Sequence, residues 1–253
     1  MNAALFANPL VTYLLRLADD NLVHAQQLGA LVSRMPELEE DIAVANLCLD
    51  HLGQARNLLT YAAEVDGAGR DEDALAMLRD ERDFRNAVLV EQPNGDFGQT
   101  IAKQFFLDAY QVPLYEALIG SADEQLAAIA DKAAKEARYH LRYSSQWVIR
   151  LGDGTAESHR RMQAGIDAIW PFTADLFFTD EVEAELGPIA ADPAPLRERF
   201  DATVAAVLAE ATLALPADPY QRLGGRVGNH TELLGHVLPE MQSLHRAHVG
   251  AGW

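Results

Sequence analysis

Several polar side chains that could bind a metal ion interrupt apolar faces of the sequence at helical spacing. His140 lies on a face that recurs every three or four residues from Ala133 to Leu151, which is the spacing of an α-helix. Side chains three residues apart on a helix share a face, and proteins with two bridged metal ions use this in Glu-x-x-His pairs. Here the residue three before His140 is Ala137, and Glu136, four before it, lies on the same side but points differently. This helix therefore resembles a metal-binding helix that lacks its first ligand.

Three more predicted helices carry polar residues halfway along an apolar face. A ferritin-like di-iron protein presents Glu, then Glu-x-x-His, then Glu or Asp, then Glu-x-x-His on its four helices. The positions correspond in this sequence, but most of the carboxylates are missing, and two bridged cations need several of them. We therefore predict no di-iron centre in this chain. The earlier polar positions are Asn21 with His24, His51 with Gln54, and Asp108.

Two interpretations of these positions are open at this point. In the first, the side chains form a hydrogen-bonded network in the core, because buried polar groups need partners and amides are poor metal ligands. A buried Asp108 would then need a partner, for which Arg56 is a candidate. In the second, the chain is an independent metalloenzyme with a mononuclear zinc or iron(II) site. The ligands of that site would be His24, His51, Asp108 and His140.

The polar positions lie on long segments of helical periodicity, and no segment is typical of a β-sheet. We predict an all-α fold, a ferritin-like helical bundle with additional C-terminal helices, in a single domain over residues 1–253. The second helix has two adjacent apolar stripes, more than one bundle covers, which predicts a subunit interface. Helices are predicted at 9–34, 37–65, 72–86, 96–120, 123–151, 156–178, 193–215 and 231–249.

Composition argues against several classes of function. The chain has 253 residues, 49% of them hydrophobic, and a formal net charge of −18, which disfavours nucleic acid and anionic membranes as partners. No apolar run approaches the roughly 20 residues that span a bilayer. The first 15 residues hold no Lys or Arg, so we expect no secretory signal. The single cysteine, Cys48, excludes an intrachain disulfide and indicates a reducing compartment, and we predict a cytoplasmic protein.

Arginines recur every three residues at Arg79, Arg82 and Arg85, beside Phe84. On a predicted helix this spacing favours a solvated charged face. The alternative is a patch that contacts an anion, because guanidinium groups bind phosphates and carboxylates.

Four longer motifs carry a resemblance to a known family. They are Leu49–Asn57, Arg79–Arg82, Val90–Gly95 and Lys135–Arg142. Together they closely resemble the structural, non-catalytic subunit of bacterial phenylacetyl-CoA epoxidase, the multicomponent ring-epoxidising monooxygenase of phenylacetate degradation. The resemblance extends over nearly the whole chain.

The resemblance implies a ferritin-like subunit with no catalytic residue and no metal or other cofactor of its own. The di-iron centre is expected in a homologous catalytic subunit, which this chain would hold in shape within a heterodimer that doubles into a heterotetramer. Further components, including a reductase, are expected in the complex. This sequence has His51 and Gln54 where the catalytic subunit has Glu-x-x-His, and Ala137 before His140. His51 in place of an apolar residue keeps the mononuclear site open as an interpretation.

The resemblance also implies that phenylacetyl-CoA binds near the contact between the two subunits. Residues 83–86 combine cationic and aromatic character near a predicted helix end, and residues 184–186 are a second candidate. We predict that the substrate-binding residues of this chain are Asp83, Phe84, Arg85, Asn86, Ala184, Glu185 and Leu186.

Overall fold

The computed structural model describes residues 4–217 and 220–251, and in these ranges it contains α-helices and short 3-10 helices but no β-strand. The predicted all-α, ferritin-like class is confirmed. The helices are α1 (Pro9–Gly29), α2 (Leu38–Asp66), α3 (Glu72–Met77), α4 (Phe97–Leu118), α5 (Glu124–Gly152), α6 (Ala156–Ile169), α7 (Glu181–Leu186), α8 (Pro193–Glu210) and α9 (Leu234–Ala247).

Local signals fix ends of the three long helices α2, α4 and α5. Asp96 and Asp123 cap α4 and α5 by accepting from backbone N–H groups of the first turn, which otherwise have no partner in a helix. Gly67 ends α2 at a φ of 64°, a left-handed conformation that glycine adopts without steric cost. The helices predicted at 37–65, 96–120 and 123–151 are therefore confirmed.

The helix predicted at 72–86 is wrong beyond Met77. The backbone N–H of Arg85 donates to Asp19 at 2.8 Å, and the N–H of Ala87 donates to Asp20 at 2.7 Å. Because these two carboxylates of α1 bind the N–H groups, the segment does not need helical carbonyl partners to be satisfied. The result is a buried, non-helical stretch from 84 to 92.

Other helix ends also differ from the sequence-based expectation. α1 ends at Gly29, and α8 ends at Glu210, five residues before its predicted end. The helix predicted at 156–178 becomes a 3-10 helix at Trp170, one residue before Pro171, whose ring disfavours continued α-helix. The helix predicted from Thr231 begins at Leu234, because the hydroxyl and N–H of Thr231 both donate to Glu91.

Residue contacts divide the chain into two compact units, and the predicted single domain stays a prediction. The first unit comprises residues 1–91 and 224–253, in which α1 packs along α2, and α9 packs on α1 and α3. The second unit comprises residues 92–223, in which α4 packs on α5, α6 and α8. No helix within the described ranges is long and apolar enough to cross a membrane.

Candidate functional site

The polar positions of the first unit form a histidine-amide cluster between α1 and α2. The side-chain amide of Asn21 donates to the Leu17 carbonyl at 2.8 Å, which directs its oxygen toward Nδ1 of His51, also 2.8 Å away. Nδ1 of His51 therefore carries the hydrogen. The ring of His24 meets the ring of His51 edge-on, with 4.9 Å between centroids. Asn21, His24, His51 and Gln54 are all buried, as the helical spacing predicted.

The polar positions of the second unit centre on Asp108, which is fully buried on α4. One carboxyl oxygen accepts from the amide of Gln104 at 2.7 Å, and the other accepts from the hydroxyl of Ser144 at 2.7 Å. Burial raises the pKa of Asp108 to about 7, although His140, Ser144 and Gln104 each act to lower it. The carboxyl therefore changes protonation near neutral pH.

The donor set of these positions fits a hydrogen-bonded network better than a metal site. Asp108 binds a neutral donor through each of its oxygens, so the buried carboxyl group has partners without a cation. His51 uses Nδ1 for an amide oxygen, and Asn21 itself is a weak ligand type for zinc or iron. Arg56, which the sequence suggested as a partner of Asp108, is not its partner. The side chain of Arg56 is 75% exposed, and its Nε atom lies 3.5 Å from a carboxylate oxygen of Glu72.

Residues 83–86, predicted to bind substrate, are buried in the first unit. Arg85 donates to the carbonyls of Arg82 and Phe84 at 2.8 and 2.6 Å. Its guanidinium carbon lies over the ring of Phe6, 3.7 Å from the ring centroid. Desolvation lowers the pKa of Arg85 to about 10, against the raising effect of Asp19. The expected solvated face is therefore wrong for Arg79 and Arg85, which are both buried.

Asn86 is the one predicted substrate-binding residue whose side chain has a buried, unused acceptor. Its amide nitrogen donates to the Ala87 carbonyl at 3.1 Å and to Glu91 at 3.0 Å. Its side-chain oxygen is buried and accepts no hydrogen bond from the residues that the structure describes. Such an acceptor is rare in a folded protein.

Residues 184–186, the second predicted substrate-binding stretch, lie in the second unit at the end of α7. Ala184 and Glu185 are exposed, whereas Leu186 is buried. Asp180 and Glu183 form a reciprocal capping box at the start of this short helix, and both cap bonds stabilise its first turn. The predicted role of both stretches stays a prediction.

Sequence reasoning missed a buried ionic network in the first unit. Asp19 forms an ion pair with Arg79, and Asp20 accepts from the two terminal guanidinium nitrogens of Arg226 at 2.9 and 2.8 Å. Every residue from 11 to 25 is buried. A charged residue inside so apolar a helix must be paired, and this was the available signal.

A second buried pair, between Glu91 and His230, was also not predicted from the sequence. Nδ1 of His230 lies 2.6 Å from Glu91, and Nε2 lies 3.0 Å from the Phe84 carbonyl. Both ring nitrogens thus face acceptors, while a neutral imidazole has one N–H. These two contacts fix the 224–231 segment onto the buried stretch at 84–91.

Lys103 is a fully buried cation on α4 of the second unit. Its ammonium donates to the Gln92 carbonyl at 2.7 Å and to the side-chain oxygen of Asn94 at 2.8 Å. Both acceptors are neutral, and desolvation lowers the pKa of Lys103 from 10.5 to about 7. The lysine thus holds the 92–94 turn against α4. Its burial removes the hydration of the charged ammonium group, which destabilises the charged form.

Lys103→Met is expected to remove a pH-dependent part of the stability. The pKa of Lys103 is lower in the folded chain than in the unfolded chain. Between these two values the unfolded chain binds more protons, so wild-type stability should rise from about pH 7 toward pH 10 relative to the variant. Urea unfolding at pH 7 and pH 9 measures this difference.

The matched control for this experiment is Lys132→Met, whose side chain is 64% exposed. The stability difference between wild type and this control should not change between the two pH values. An equal pH response of both variants would contradict a lowered pKa at Lys103.

The chain matches a protein family over nearly all of its length. The family model described as phenylacetic acid catabolic protein matches residues 2–253. One relative is the C subunit of 1,2-phenylacetyl-CoA epoxidase from Escherichia coli (strain K12), to which the chain is 53% identical over 248 residues. That alignment covers 97% of this chain and 100% of the relative. All the predicted site residues lie within the range of the family match.

Proposed function

Because the chain belongs to the phenylacetic acid catabolic protein family, we propose that it is the structural, catalytically silent subunit of a phenylacetyl-CoA epoxidase in aerobic phenylacetate degradation. The 53% identity to the Escherichia coli relative supports this assignment over that of a different component. The single observation that supports a catalytically silent role is the type of side chain at the polar positions of the four helices. Histidine, amide and alanine stand where a di-iron subunit needs carboxylates.

The state of Asp108 supports the same proposal. Two bridged iron ions need several anionic ligands to offset their charge. Asp108 binds a neutral donor at each oxygen, and its pKa of about 7 leaves it only partly ionised at neutral pH. We therefore propose that this chain has no catalytic residue and binds no cofactor, and that the di-iron centre belongs to a homologous partner subunit.

We further propose how the chain acts in the complex. It forms a heterodimer with the di-iron subunit, which doubles into a heterotetramer in the cytoplasm and works with a reductase and other components. Phenylacetyl-CoA binds where the two subunits meet, and residues 83–86 and 184–186 provide this chain's contribution.

The proposal is tested by reconstituting the epoxidase with a His51→Ala/His140→Ala double variant. Turnover of phenylacetyl-CoA should stay within about threefold of wild type, because a silent subunit adds no group that lowers the barrier. The matched control is His236→Ala/His248→Ala, which removes two exposed histidines. A fall of about a hundredfold, roughly 2.7 kcal/mol of barrier, in a complex that still assembles would overturn the silent role.

The rival function is an independent metalloenzyme that uses His24, His51, Asp108 and His140. The burial of all four side chains is the observation in its favour, since buried charged and polar groups are paired or coordinate metals. Elemental analysis of the purified chain after expression with added iron and zinc separates the two functions. We expect well below about 0.1 equivalents of either metal. About one equivalent that is lost in Asp108→Ala would support the rival.

A further inference from the structure

One face of α2 is apolar and open to solvent. Leu38, Ile42, Leu49 and Leu52 are 70%, 54%, 63% and 45% exposed, and Ala45 lies between them. Their spacing of four and three residues along almost four turns is that of the a and d positions of a coiled coil. We call these five residues the α2 seam. Four large apolar side chains on one helix face are typical of a surface that another helix covers.

Gly53 lies beside the α2 seam and has no role in the packing of its own chain. A Cβ atom at this position would meet no other described atom within 4 Å. Glycine in a helix interior is destabilising relative to alanine. Neither a positive φ nor internal crowding requires glycine here, and the missing Cβ leaves room for another backbone to approach closely.

Charge decides what kind of helix fits the α2 seam. α2 contains six acidic residues and a single basic residue, Arg56. Glu39 and Asp50, eleven residues apart and so on the same side of the helix, lie beside the seam. Two copies of this chain would bring like charges together on top of a net charge of −18 each, which opposes self-association. A helix with Lys or Arg along its edges is complementary.

From these three observations we propose that the α2 seam docks a helix of a different subunit of the epoxidase, with its backbone closest to Gly53. This helix has its own apolar seam and basic residues along its edges. The inference rests on the proposed function, since it takes the di-iron subunit as the partner. Knob-into-hole packing at the spacing of the seam gives a shallow crossing angle of about 20°.

The experiment compares Leu49→Asp with Leu244→Asp in binding to the homologous di-iron subunit. The two leucines are matched, because both lie on helices of the first unit and are 63% and 61% exposed. Leu49→Asp should weaken binding by at least about 30-fold, since a charge in an apolar seam loses its hydration. Leu244→Asp should bind within about twofold of wild type.

Gly53→Ala is expected to have opposite effects on stability and on binding. The Tm of the isolated chain should rise by about 1 to 3 °C, because alanine favours the helix. Binding to the di-iron subunit should weaken by about tenfold, because the added methyl group blocks close approach. A variant that is stabilised and binds as tightly as wild type would show that no backbone lies against Gly53.

Three outcomes separate the possible failures. If wild type does not bind the di-iron subunit, the proposed function fails. If wild type binds and Leu49→Asp binds equally well, the proposed function stands and the docking surface is wrong. If the isolated chain dimerises in sedimentation and Leu49→Asp makes it monomeric, the α2 seam binds a second copy and the proposal is overturned.

Discussion

Arg226→Ala is expected to lower the free energy of unfolding by about 3 to 5 kcal/mol, the range for breaking a buried ion pair. The guanidinium of Arg226 is buried and donates to both oxygens of Asp20. It also donates to the carbonyls of Arg16 and Arg85 at 2.9 and 3.2 Å. Its removal leaves a buried carboxylate without its cation and opens a cavity between α1 and the 224–228 segment.

Urea unfolding followed by circular dichroism measures this loss, with the slope of the transition as a check on two-state behaviour. Arg226→Lys should lie between wild type and the alanine variant, because an ammonium cannot bind both carboxylate oxygens in the same planar arrangement. The control is Arg56→Ala, which removes an exposed ion pair and should cost below about 1 kcal/mol. Equal losses for Arg56→Ala and Arg226→Ala would show that the Asp20 pair contributes little.

The parts of the fold that sequence predicted well are those that local signals determine. The helix predicted at 37–65 is observed at Leu38–Asp66, and the helix predicted at 123–151 is observed at Glu124–Gly152. Both have long apolar repeats, and Gly67 and Asp123 lie at their ends. All these signals act within a few residues of the backbone they fix, so they can be read without the fold.

The prediction of a helix at 72–86 was wrong at its C-terminal end because the groups that bind its backbone there lie far away in sequence. Asp19 and Asp20 bind backbone N–H groups 66 and 67 residues later, and no local pattern in 72–86 shows this. The same distance hides the pairing of Asp20 with Arg226, 206 residues apart. The three charged residues inside the buried run of α1 indicate that partners exist, but they do not identify them.

The candidate site divides in the same way. Periodicity placed Asn21, His24, His51 and Asp108 correctly in the interior. Their partners were not predictable, and Arg56 was wrong because it belongs to the stripe of α2 that faces solvent. Both stripes of α2 are mostly apolar in sequence, so their composition alone does not show which one is covered. The predicted subunit interface requires an apolar stripe that the chain itself leaves exposed, and α2 has one. The interface itself stays a prediction.

Asp108→Ala is expected to cost about 3 to 5 kcal/mol, as the sum of two unsatisfied buried donors and a small cavity. Its carboxyl group accepts from Gln104 and Ser144, and both side chains are buried. Asp108→Asn should cost about 1 kcal/mol or less, because an amide keeps the volume and one acceptor, and the amide of Gln104 can turn to match it.

The pH dependence of the two variants gives the sharper test. The pKa of Asp108 is higher in the folded chain than in the unfolded chain, about 7 against 3.8. Between these values the folded chain binds more protons, so wild-type stability should fall from about pH 4 to pH 7 relative to Asp108→Asn, whose side chain does not titrate. Urea unfolding at pH 5 and pH 8 measures the change, with Asp131→Asn as control because its side chain is 57% exposed. If the difference between wild type and Asp108→Asn grew in favour of wild type at pH 8, Asp108 would be a stabilised anion, and the metal-binding interpretation of this position would gain support.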